Sequence, residues 1–132
     1  MHRRISLFAL GLLVLGVSGV SAQSPNASAQ KYPDVLAVKI RAQAGRKLDF
    51  DVTVSSPYDS PLRYADAFRV AGKDGRVYGE RKLLHHHAGE QPFTRDLYGV
   101  TIPPDVRIVV IQARDQKYGY GGKSVEAMLP GR

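Results

Sequence analysis

The stretch Gly99–Leu129, GVTIPPDVRIVVIQARDQKYGYGGKSVEAML, decides the fold. Pro103-Pro104-Asp105 cannot continue a helix or a central ladder, because proline lacks an amide donor. Arg107–Arg114 then carries Ile108, Val109, Val110 and Ile111 in succession, and such stiff β-branched side chains suit a pleated surface. The glycines at 119, 121 and 122 permit a chain reversal, so the spacing predicts a hairpin loop over Lys117–Lys123. Ser124–Leu129 returns with Val125, Ala127 and Leu129 on one face. This is the terminal hairpin of an antiparallel sandwich.

The same period of two recurs toward the N-terminus. Leu48, Phe50, Val52 and Val54 alternate with Asp49, Asp51 and Thr53 over Lys47–Ser55, the signature of a half-buried strand with its acids in the solvated row. Val35–Gln43 precedes it across the Ala44-Gly45-Arg46 turn. Ser56–Pro61 has the chemistry of a loop. Tyr64–Ala71 and Val77–Leu84 flank the short Gly72–Gly75 turn, His85–Gln91 is an irregular connection, and Pro92–Tyr98 is a further strand. Seven strands with no amphipathic helical pattern predict an all-β, single immunoglobulin-like antiparallel β-sandwich over residues 32–132.

The first 22 residues read as a cleaved signal peptide. Arg3 and Arg4 precede an apolar run from Ile5 to Val20, and Val20-Ser21-Ala22 supplies the small residues of a cleavage site. Glycines and a serine dilute the run below what a span needs, so the mature chain is expected to be periplasmic or secreted with no membrane span. Residues 23–31, QSPNASAQK, read as a flexible tether. The chain has no Cys, which excludes a lipidated N-terminal cysteine and leaves packing, without disulfides, to stabilise the fold. Basic residues outnumber acids, but the two are interspersed and form no Lys/Arg run, so nucleic acid is not an expected partner.

The run GVTIPPDVRIVVIQARD, followed by a Gly-rich turn and SVEAML, resembles the last three strands of immunoglobulin-like and fibronectin type III-like modules. In those families a proline-containing corner leads into a strand that ends in a polar turn. The layout also resembles that of small exported bacterial proteins. The disulfide and strand tryptophan of antibody domains are absent, as the chain has neither Cys nor Trp. Such a module inherits no activity from its fold, because function lives in sites grafted onto it.

Three constellations are candidates for function. In extended chain His85 and His87 point to one side and His86 to the other, so His85, His87 and Glu90 could ligate Cu or Zn; a solvated, pH-responsive loop is the alternative. Arg95 could clamp a carboxylate or phosphate through its planar fork, or pair with Glu90 or Asp66. Tyr118, Tyr120 and Lys123 make a recognition tip if the glycine-rich segment is a loop. No GxSxG elbow, HExxH or P-loop is present. The expected function is a non-enzymatic binding or accessory module without a cofactor, acting on an unknown protein or anionic ligand; a metal-binding protein is the alternative. Finally, Val106, Ile108 and Val110 oppose Val109, Ile111 and Ala113, and a sandwich buries one face of each strand. Whichever row faces outward is expected to meet a second copy, another partner or a loop of the same chain.

Overall fold

The computed structural model describes residues 30–132. The signal peptide, its cleavage site and most of the tether lie outside the described residues. Seven strands follow in order: β1 (Asp34–Ala42), β2 (Lys47–Ser55), β3 (Ala65–Ala71), β4 (Val77–Lys82), β5 (Phe93–Thr101), β6 (Ile108–Asp115) and β7 (Gly119–Met128). A single 3-10 turn, Ala44–Arg46, joins β1 to β2. The strands form two antiparallel sheets, β1-β2-β5 and β4-β3-β6-β7. Among the described residues no helix is long and apolar enough to cross a membrane.

The alternation in β2 does what its period requires. Phe50, Val52 and Val54 are fully buried and Leu48 nearly so. They face Phe68 and Val70 of β3 and Val109, Ile111 and Ala113 of β6, with Phe93 and Val100 from β5 closing the same core. Burial of side chains this size contributes roughly 1.5–3 kcal/mol each against exposure, which is what holds two sheets together without a disulfide. The inward row of β6 is therefore Val109, Ile111 and Ala113. Outward, Ile108 and Val110 are only half-buried and run on into Gln112 and Arg114, so this row is no continuous apolar stripe. Val106, expected in that row, precedes the strand and packs against the core instead.

Most strand ends fall within a residue or two of the sequence reading, and three differences matter here. β4 stops at Lys82, and β5 runs on to Thr101 because Leu48 pairs with Val100 while Phe50 pairs with Leu97. That register shift leaves the Gly99 amide facing Asp49, whose carboxylate accepts it at 2.9 Å. Asp49 is consequently buried, not solvated with Asp51. The largest difference is in β7, which begins at Gly119: the glycines lie within a strand paired to β6, not in a hairpin loop.

The end of the tether is also fixed. Arg63 Nη2 donates to the carbonyls of Gln30 at 2.9 Å and Lys31 at 2.7 Å, and Gln30 Nε2 donates to Tyr32 O at 2.7 Å. The N-terminal segment thus docks at the end of the sandwich formed by the β2–β3 loop and the β6–β7 turn.

Candidate functional site

β4 and β5 are edge strands of opposite sheets, and the seam between them is open. Arg81 stands opposite Phe68 and Arg95 opposite Val52, so both point toward the interior from the rim. A long cation fits such a place because its stem covers apolar surface while its head stays wet. Arg81 Nη1 bridges the seam to the Asp96 carbonyl at 2.8 Å and carboxylate at 2.5 Å. Arg95 grips both oxygens of Glu90, at 2.9 and 3.3 Å. Above them lies a cleft of about 260 Å³ lined by the two arginines, Lys82, Leu84, His85 and His87.

The His85–His87 segment holds to the expected alternation. The rings of His85 and His87 lie 4.9 Å apart between centroids. His86 turns away and accepts the Ala88 amide at 3.3 Å. His87 is buried, stacked on Phe93 with 4.0 Å between centroids, and its backbone amide donates to Asp59 at 3.0 Å. Among the described residues its buried Nδ1 has no hydrogen-bond partner. Glu90 does not join the pair: its carboxylate is turned to Arg95, whose hydrogen bond holds it below the usual carboxylate range. Among the described residues no three His, Cys, Asp or Glu side chains are grouped to hold an ion.

Burial first, then the charges of Arg95 and His85, lowers the proton affinity of His87; Asp59 and Glu90 oppose this weakly. The unfolded chain therefore binds more protons at this residue, so the neutral ring's stabilising share is complete above about pH 6.5 and is lost as pH falls through the folded value. Wild-type protein is expected to lose melting temperature as pH falls below about 6.5, and His87→Gln should lose less. Equal slopes in thermal melts of the two proteins would reject the assignment.

The structure separates Tyr118, Tyr120 and Lys123. Tyr118 lies 4.9 Å from the Arg63 guanidinium, with Tyr58 at 4.2 Å from the same group. Tyr120 lies on the outer face of the four-stranded sheet, stacked 3.7 Å from Arg69, with its hydroxyl donating to Glu80 at 2.6 Å. Burial and that bond push its phenol up. Lys123 is exposed on β7, and its backbone amide donates to Asp34 at 2.7 Å. Sequence reading missed Arg63, whose partners are remote in the chain. The outer-face row was open to detection, since Asp66, Arg69, Glu80, Gln112 and Arg114 recur among apolar neighbours.

No protein-family model matches this chain, and no solved structure matches it. A protein of Halomicrobium mukohataei named "Putative lipoprotein" is 35% identical over 92 residues, which is 70% of this chain and 45% of that protein. The chain thus spans just under half the length of the relative it matches.

Proposed function

We propose that this is an exported, non-enzymatic binding or accessory module of the immunoglobulin-like and fibronectin type III-like kind, which takes an acidic group of its ligand in the β4–β5 cleft. The observation that carries the cleft is the buried His87 ring with an unpartnered nitrogen, set beside three cationic side chains on the rim. Export is supported by the N-terminal signal pattern and by the printed name of the relative; with no Cys here, lipidation on cysteine does not carry over. The module type is supported by the division of seven strands into sheets of three and four, although β4 here joins β3, whereas constant-type immunoglobulin domains place the fourth strand in the first sheet. The non-enzymatic reading rests on the sequence's lack of a catalytic signature and on the pairing of Arg81, Arg95 and Glu90 with protein groups.

A second reading, Cu(II) or Zn(II) binding, is favoured by one observation: the side-by-side rings of His85 and His87. Separate titrations with succinate, Cu(II) and Zn(II), followed by nuclear magnetic resonance, distinguish the two. Succinate should shift Arg81, Lys82 and Arg95. Metal binding should act through the imidazoles, with His85→Ala and His87→Ala each weakening it at least roughly tenfold and His86→Ala less. Equal losses from all three would indicate a flexible chelating tag, and silence toward every probe would remove the cleft as the site.

A further inference from the structure

The end of the sandwich opposite the N-terminal entry carries a second cleft, independent of the β4–β5 seam. Its volume is about 420 Å³, within the roughly 300–1,000 Å³ of small-molecule sites. Arg46, Lys47, Arg107 and Arg132 line it over a floor that includes Leu48 and Pro104, and no Asp or Glu lines it. Among the described residues none of these four cations makes an ion pair, although six other basic side chains do. Asp49, next along β2, is buried and gives its carboxylate to Gln43 and the Gly99 amide. Arg132 is held in place by the carbonyls of Ile102 at 3.1 Å and Val106 at 3.2 Å, and by that of Pro103.

The backbone adds a separate observation. Arg46 has φ 67°, a left-handed conformation that disfavours a side chain of its size. It is the only non-glycine residue of that kind among the described residues, and the turn is closed by Gln43 N donating to Lys47 O at 2.7 Å. Asn or Gly would meet the turn's needs at less cost, yet the position carries a guanidinium beside three further cations. Strain of this type collects where a ligand must be held.

We propose that this cleft is a binding site for a soluble phosphate-bearing ligand, a diphosphate or phosphate ester. Planar guanidinium forks match phosphate oxygens in pairs, and an unneutralised group of four cations favours more than one negative charge. The nine residues of β1 separate the site from the N-terminal entry by roughly 30 Å.

The test is titration of the purified protein with pyrophosphate at constant ionic strength, followed by amide resonances and calorimetry. Saturable shifts are expected at Gly45, Arg46, Lys47, Arg107 and Gly131, with His87 and Arg95 unmoved. Arg107→Gln should weaken binding about tenfold or more, the worth of one charge-assisted hydrogen bond. Arg46→Gly should weaken it comparably while melting no lower than wild type, because glycine accepts the left-handed backbone. That variant keeps loss of binding distinct from loss of folding. Absent saturation, or unchanged affinity in both variants, overturns the site. Equally tight binding of citrate overturns the choice of phosphate, and binding only to phosphatidylglycerol vesicles overturns a soluble ligand. Succinate binding in the β4–β5 cleft can succeed or fail without touching these outcomes.

Discussion

Asp115→Ala is expected to destabilise the domain by about 3–5 kcal/mol, a large part of the roughly 5–15 kcal/mol that holds a domain folded. The carboxylate of Asp115 is fully buried. It accepts the Tyr58 hydroxyl at 2.5 Å, Arg63 Nε at 3.2 Å, and the amides of Lys117 at 2.9 Å and Tyr118 at 2.8 Å. Arg63 in turn clasps Gln30 and Lys31, so one side chain ties together the β2–β3 loop, the β6–β7 turn and the N-terminal segment. Alanine would leave a mostly buried guanidinium without its counter-charge and a phenol without its acceptor, which costs more than the pair itself contributes. Guanidinium chloride unfolding should show a lower midpoint with little change in slope. A loss below about 1 kcal/mol would mean that solvent reaches the network.

The same residue sets an acid limit. Burial alone would push its carboxyl up, but the Tyr58 hydroxyl, the two amides and Arg63 outweigh it and hold the carboxyl below its ordinary range. A depressed acid stabilises fully above its unfolded value, near pH 3.9, and loses that contribution as pH falls through the folded value. Acid unfolding below about pH 4 should therefore be shallower in Asp115→Asn than in wild type.

The strands were legible because each carries its own contrast. In β2, Phe50, Val52 and Val54 alternate with polar residues, and their burial is read directly from that period. In β6 four apolar residues in succession hide the parity. Yet Gln112 and Arg114 share a row with Ile108 and Val110, and that row proves to face outward. What the period cannot carry is register. Asp49 belongs to the polar row of β2, but a shift in its pairing with β5 presents it with the Gly99 amide and buries it. The site was less legible for a related reason. The spacing of His85 and His87 foretold their shared side, but Arg95 claims Glu90 through a contact that spacing alone left open. Arg63 and Arg81 depend on pairings that only the assembled sheets create.

The hairpin joining β6 to β7 is present, but its loop is shorter than expected and Gly121 and Gly122 lie in the strand, because residue type alone does not say whether glycine serves a turn or a close approach. Gly119, with φ 83°, serves the turn, whereas Gly121 and Gly122 serve approach. A Cβ at Gly121 would strike the Tyr32 ring, and one at Gly122 would strike the Pro33 carbonyl oxygen. The two substitutions should differ. At Gly121 the obstacle is a side chain, which can rotate off its contact with Tyr118. At Gly122 the obstacle is backbone, and φ there is 73°, a conformation that costs alanine about 1–2 kcal/mol by itself. Gly122→Ala should therefore cost about 3 kcal/mol or more, placing it with the steric and left-handed-backbone substitutions in the severe tail of single changes, whereas Gly121→Ala costs less. The damage should begin locally, because Tyr32, Pro33 and the bond from the Lys123 amide to Asp34 seal the N-terminal segment against β7. Amide exchange at residues 31–34 should quicken in Gly122→Ala before the core strands β2 and β6 lose protection. If Gly121→Ala proves the more damaging of the two, the backbone contact at Pro33 is not what holds this segment in place.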